Sequence, residues 1–286
     1  MRAPDRPRQR ARVAIVARTT TSYVLLIFLC ALFLMPFIWM LGTSLKPDSE
    51  VTRVPLTLLG SRIEWKNYER MWNTFPFGRT IINGLIVATL GTLLCLASSG
   101  LAAYAFSKLH FRGRDRLFLL YLATLMIPQQ ALVIPLFLLM NALKWVNTYQ
   151  AMILPWAFNA FGTFMLRQFF MSVPGEFSEA ALMEGAGHFS ILARIVAPLA
   201  TAGFATLTVF TFIMYWNNFL WPMIIASRPE MFTFPVGLGV FQGQFGTVWN
   251  LMMAGAALSV VPAILIYALS QRYIVGGLTI SGLGGR

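Results

Sequence analysis

Side chains able to do chemistry are few in this chain, and they fall in two groups. Ten carboxylates serve 286 residues, and Glu176, Glu179 and Glu184 crowd together between Pro174 and Gly187. Clustered carboxylates can hold a metal or share acid–base work, but neither use finds its companions here. The two histidines, His110 and His188, lie far apart, in loops or at loop edges, so a paired-His metal site is not expected. Cys30 and Cys95 sit in separate apolar runs without neighbouring ligands, which argues for buried thiols and against a disulfide framework or metal centre. No Ser or Cys has the context of a known nucleophile motif. No Gly-x-x-x-x-Gly-Lys-Ser/Thr is present, so the chain has no P-loop of its own to cradle ATP. An enzyme reading has no residues to stand on.

The second group is made of amides set among aromatic rings. Gln129 and Gln130 follow Ile127-Pro128, and Asn217 and Asn218 follow Tyr215-Trp216. Amides inside apolar runs are costly unless they meet partners or water, so Gln129, Gln130, Trp216, Asn217 and Asn218 are candidates for the lining of a path. The glutamines leave two readings open: hydrogen bonding between helices, or the lining of a pore. For Trp216 the alternative is a ring at the membrane interface.

These groups must be positioned by membrane helices. Hydrophobic residues make up 57% of the chain and charged ones 11%, too little charge for a soluble domain. The apolar residues fall in runs of the roughly 20 residues that cross a bilayer. The expected fold is all-α and integral to the membrane, with six transmembrane helices near 21–41, 80–106, 117–140, 149–170, 197–226 and 249–271. Apart from Arg167 at one end of the fourth, these runs hold no Asp, Glu, Lys, Arg or His. Residues 1–20 read as a disordered basic arm, 21–272 as the membrane domain and 273–286 as a tail, with a loop at 171–198. The first run lacks a small-residue cleavage site and is expected to remain as an anchor. Pro36 should kink it. The glycines, alanines and serines of the second run, Gly84 and Gly91 among them, predict close helix packing. Residues 43–79 are long enough to form short helices along the outer surface.

The net charge of +12 is a topology signal. Arg2 to Arg18 and Lys108 to Arg116 flank apolar runs, and such clusters mark the cytoplasmic side. Six spans then put both termini inside and the Glu179 region inside as well. The same clustering makes nucleic acid the weaker reading of the basic amino terminus.

The region of clustered carboxylates carries a pattern. Glu179-Ala180-Ala181 is followed by Gly185, Ile195 and Pro198, with Ala197 before the proline and Glu184 ahead of the glycine. This resembles the cytoplasmic EAA loop of permease subunits in ATP-binding-cassette importers, although the family usually has Leu at 197 and often Asp at 184. Ser178 is placed to cap a short helix, with Glu179 favouring its positive end. Ala180 and Ala181 would let a partner approach closely, and Gly185 and Gly187 would end the helix. Trp216 to Pro222, Ile134 to Phe137, Asn147 to Tyr149 and Gln271 to Thr279 are similar to runs in carbohydrate importers, nearest the shorter permease subunit of the maltose and glycerol-phosphate type.

The resemblance implies a type I importer permease in a bacterial inner membrane. It implies a second, related permease subunit, two ATP-binding-cassette ATPase subunits and an extracytoplasmic solute-binding protein, all working in the lipid bilayer. Glu179, Ala180, Ala181, Glu184 and Gly185 would couple the ATPase to the spans. ATP would be used by the partner, and no cofactor or metal is expected on this chain. The tail from Gly276 to Arg286 is a second candidate ATPase contact, against a frayed terminus. Sugars are bound by amides and aromatic faces, which suits Gln129, Gln130, Trp216, Asn217 and Asn218. In the maltose system, however, the longer partner makes most sugar contacts, so two readings stay open for these residues: sugar contact, or shaping the path alone. Two alternatives remain: the same machine for a non-sugar solute such as glycerol-phosphate or an amino acid, and a stand-alone secondary carrier.

Overall fold

A computed structural model describes residues 6–243 and 246–283, with side chains for 18–243 and 246–274. The chain is helical almost throughout. The helices are α1 (Arg6–Ser44), α2 (Lys66–Thr74), α3 (Phe77–Lys108), α4 (Arg114–Ala123), α5 (Gln129–Ala142), α6 (Tyr149–Ala157), α7 (Ala160–Ser172), α8 (Gly175–Met183), α9 (His188–Ile191), α10 (Ala197–Leu199), α11 (Thr201–Trp216), α12 (Leu220–Ile225), α13 (Phe234–Leu238) and α14 (Trp249–Leu283). The basic stretch from Arg6 onward is therefore helical and continuous with the first span, not a disordered arm.

Among the described residues, three helices are long and apolar enough to cross a membrane by themselves: Arg18–Ser44, Phe77–Lys108 and Trp249–Ile274. Two more candidates are bent pairs. Arg114–Met126 meets Gln129–Ala142 at 95°, and His188–Leu199 meets Thr201–Trp216 at 84°. The expected fourth run is two helices, of 9 and 13 residues. Among the described residues, length and composition thus support three spans, or five if each bent pair is one span, and do not establish six.

Local chemistry accounts for the breaks. Ile127 precedes a proline and takes the extended backbone that such residues prefer. At the second break Asn159 is extended, and its Oδ1 accepts the Gly162 N–H at 2.8 Å, starting α7 afresh. Pro198 lies in the return limb just after a π-helical turn, Leu192–Val196, and Ala200 leaves helical geometry.

The chain divides into two compact units. The first holds Met1–Met71 and Gly243–Leu258. Its α1 exposes apolar side chains such as Leu25, Phe28 and Phe33 on all sides, as a lipid-facing helix does. Beyond α1 the chain is pinned by amides. Asn67 Nδ2 donates to the carbonyls of Ser44 and Lys46, both at 2.9 Å, and Asn250 Nδ2 donates to Lys46 at 3.2 Å and to Asp48. Arg70 binds Asp48 through two bonds of 3.0 Å. The fully buried Lys46 gives its ammonium to the Thr57 carbonyl and lies 4.9 Å from the Trp39 ring centre.

The second unit holds Trp72–Gln242 and Ser259–Arg286. Here α3 is the centre, packed by α6, α7 and α11. Its small residues admit large rings: a Cβ on Gly91 would lie 2.5 Å from the Tyr215 ring, and one on Gly84 2.9 Å from Trp216. This is the close packing the small residues predict. Buried Asn83 holds the 229–233 segment to α3 by donating to the Glu230 and Phe232 carbonyls, at 2.8 and 2.9 Å.

Two outcomes follow. Tyr215 is buried and tethered by its hydroxyl to the Ile153 carbonyl at 2.8 Å, so its ring cannot yield to a new methyl group. Gly91→Ala should cost about 1–3 kcal/mol, read as a lower melting temperature in detergent. Hydrogen bonds from Arg70, and then from Asn250, hold the Asp48 carboxyl below its usual range. Its stabilisation is present above the ordinary carboxylate pKa near ~3.9 and is lost as pH falls through the lower native value. The pair is about half exposed, so Asp48→Asn should cost only about 0.2–1 kcal/mol at neutral pH. That deficit should close on acidification, as followed by melting across pH.

Candidate coupling site and translocation path

The acidic loop folds as a short helix and a return limb. Pro174 precedes the first turn, and α8 begins at Gly175. Ser178 is thus inside the helix rather than at its cap, because the proline's fixed φ starts the helix a turn earlier. Ser178 is buried, and its Oγ has no hydrogen-bond partner. Glu176, not Glu179, occupies the first turn, where negative charge is favoured.

The end of α8 follows from one residue. Gly185 has φ +84°, the left-handed conformation that glycine takes without strain. The Gly185 N–H donates to the Leu182 carbonyl at 3.0 Å, and the Ala186 N–H reaches back to Ala181 at 2.9 Å. This bond pair is a Schellman cap, and Ala186 folds onto the core cluster that holds Ala181.

The helix has two faces. Ser178 and Ala181 are turned inward, and Ala181 belongs to a cluster with Tyr104, Leu166, Phe170, Ile191 and Leu207. Glu176, Phe177, Glu179, Ala180, Met183, Glu184 and Gly185 are exposed, Met183 to 89%. The two alanines therefore part company: Ala180 is open to an approaching surface, and Ala181 is packed into the helices behind. Phe177 and Met183, apolar and outward, carry no signal in the Glu-Ala-Ala pattern and are found only once the helix phase is known.

The segments on either side of this helix are fastened to α3. Lys108 Nζ donates to the Val173 carbonyl at 2.6 Å, just past the end of α7. Arg167 Nε donates to Phe106 at 3.1 Å, and its guanidinium lies 4.3 Å from the Phe118 ring centre. The Tyr104 hydroxyl and His188 Nδ1 are 3.1 Å apart, tying α9 to the end of α3.

The five candidate path residues are not gathered together. Gln129 alone among them lines a cavity of about 560 Å³, bounded by α5, the α6–α7 break and α11. Gln130 is exposed outside that wall. Trp216 is buried: its ring stacks between Phe212 and Phe234, and its Nε1 donates to the Ser259 carbonyl at 2.8 Å. Asn218 Oδ1 accepts the Trp221 N–H at 3.3 Å, restarting the helix after α11. Asn217 is exposed at the same break. Sequence reasoning missed Phe158, Asn159, Phe161 and Thr211 of the cavity wall. The signal was there, since Pro155 and Asn159 mark a break and rings surround it.

The family model described as binding-protein-dependent transport system inner membrane component matches residues 95–279, which take in both α8 and the cavity. The chain belongs to this family. It is 32% identical, over 90% of its length and 92% of the relative's, to the arabinooligosaccharides transport system permease protein AraQ of Bacillus subtilis. It is 34% identical to the sn-glycerol-3-phosphate transport system permease protein UgpE of Yersinia enterocolitica, over 90% and 94% of the two chains. Among solved structures it matches one chain of a bacterial ABC transporter involved in the import of the acidic polysaccharide alginate. That match has a TM-score of 0.78 and 26% identity, and it covers 91% of this chain and 97% of the other. As a family member the chain is a membrane-embedded permease of the ATP-binding-cassette importer type, with the resemblance read from Glu179 to Pro198 carried through.

The Schellman turn gives a graded outcome. A Cβ at Gly185 would meet nothing within 4 Å, so the penalty of substitution is conformational only. Gly185→Ala should cost about 1 kcal/mol and Gly185→Asn clearly less, since Asn tolerates the left-handed region. Melting of the purified variants orders them.

Proposed function

We propose that this chain is half of the translocation path for a sugar or oligosaccharide in a bacterial inner membrane, moved by a separate ATPase that grips α8. The observation that carries this reading is the division of α8. Its outer face offers Phe177, Ala180 and Met183 beside three carboxylates, while its inner face is built into the same cluster as α3, α7 and α11. An exposed apolar patch rimmed by charge is the usual mark of a docking surface. Glu179, Ala180, Glu184 and Gly185 are the contact and turn residues in this reading, and Ala181 is the anchor.

The assembly would contain a second related permease, two ATPase subunits inside and a solute-binding protein outside. Both termini and the α8 loop lie on the cytoplasmic side, as the arginines of the amino terminus and the Lys108–Arg116 cluster favour. The chain performs no chemistry on its cargo. ATP is hydrolysed by its partner, and the tail from Gly276 is a second contact, with side chains outside the described residues. Support for a saccharide comes from relatives such as the arabinooligosaccharide permease. The glycerol-3-phosphate relative supports a non-sugar solute as the second reading.

Ala180→Arg places a long charged side chain on the proposed contact while leaving the inner face alone. It should weaken ATPase binding by more than about 2 kcal/mol, roughly thirtyfold, with little change in the melting temperature of the isolated permease. Co-purification of the ATPase at wild-type yield with this variant would refute the coupling surface.

A further inference from the structure

The cavity beside the α6–α7 break has features that the coupling reading does not use. Its volume of about 560 Å³ falls in the range of small-molecule sites. Gln129 projects from the first turn of α5, and exposed rings of Phe158, Phe161 and Phe210 surround it. Phe161 and Phe210 meet edge to face, with centroids 6.2 Å apart. The amide nitrogen of Asn159 donates to Cys95 Sγ at 3.4 Å, an ordinary length for sulfur, and more weakly to the Trp156 carbonyl at 3.4 Å. The indole N–H of Trp156, in the same wall, is buried without a partner. No Lys, Arg, His, Asp or Glu lines the cavity.

We infer that this chain carries its own substrate subsite in that cavity, and that the subsite takes an uncharged saccharide ring. The inference rests on the transport reading above and narrows it. Aromatic faces accept the C–H faces of a sugar, and amides match its hydroxyls. A carboxylate, phosphate or sulfonate would enter an apolar wall with no cation to meet it, which is strongly unfavourable. Lipid chains fit the rings but leave the Gln129 amide unused. The relatives divide on this point: one name gives arabinooligosaccharides, another glycerol-3-phosphate, and the alginate importer takes an acidic polymer. The wall places this chain with the first.

The test uses the assembled transporter, with both permeases, ATPase and binding protein, in proteoliposomes supplied with ATP. Arabinotriose, maltotriose and trehalose are the neutral probes, and sn-glycerol-3-phosphate and trigalacturonate the anionic ones. The expected result is uptake of at least one neutral probe in preference to both anions. Gln129→Ala and Phe158→Ala should each raise the KM for that probe about tenfold. Leu138→Ala, on an exposed part of α5 away from the wall, should leave it unchanged. Phe158 is 62% exposed, so its truncation leaves no core void, and Gln129→Ala serves independently if either variant assembles badly. Preference for an anion, uptake of no neutral probe, or wild-type KM in both cavity variants overturns the subsite. ATPase that still co-purifies and hydrolyses ATP in those cases separates this failure from failure of the transport reading.

Discussion

A backbone carbonyl with no partner inside a membrane is the constraint on which this structure turns. Pro155 has no N–H, so the Ala151 carbonyl one turn earlier in α6 loses its helical bond. In lipid nothing else would satisfy it. Trp221 Nε1 does so, at 2.8 Å. The remaining loose ends of α6 are met in the same way. Tyr215 donates to the Ile153 carbonyl at 2.8 Å and Ser98 Oγ to the Ala157 carbonyl at 2.8 Å. Asn159 then supplies the acceptor that starts α7. A broken helix is tolerated here because three side chains from three other segments, with Asn159 in the break itself, close it.

This bears on the aromatic and amide run from Tyr215 to Trp221. Read as sequence, it has the composition of a sugar site. In the fold, much of its polar capacity is already committed to backbone: Tyr215 to Ile153, Trp221 to Ala151, Trp216 to Ser259, and Asn218 to the next helix. A signature of this kind can recur among relatives for architectural reasons, and a bound sugar is not needed to explain it. What the run maintains is the break, and the break is what leaves room for the cavity beside Gln129 and Phe158.

How much was legible in the sequence follows from the same physics. Composition and apolar runs dictated a helical membrane protein, because lipid admits little else. Glycine at 185 after an alanine pair correctly placed a short helix and its turn, since local backbone preference decides both. Spans three, four and five are each broken, and hydropathy is blind to breaks: Pro128, Pro155, Asn159 and Pro198 sit among apolar neighbours and do not lower the average. The arm before the first span was expected to be disordered on charge alone, yet helical propensity and an adjoining helix extend α1 back to Arg6. The inward and outward phases of α8 depend on where the helix begins, and Pro174 set that start earlier than Ser178 suggested.

The division of α8 also says how a push on it must travel. Ala181 shares one packed cluster with Tyr104 of α3, Leu166 and Phe170 of α7, and Leu207 of α11. Close-packed interiors transmit displacement and do not absorb it. Lys108 bonded to Val173 and Arg167 bonded to Phe106 fasten α3 to α7 at this end, so α8 cannot slide while these helices stay behind. The same cluster takes in Leu192 and Val196 of the π turn and Ala200 at the 84° bend before α11. A load on α8 would therefore be shared by α3, α7, the return limb and α11 through one packed cluster, and α11 forms one wall of the cavity.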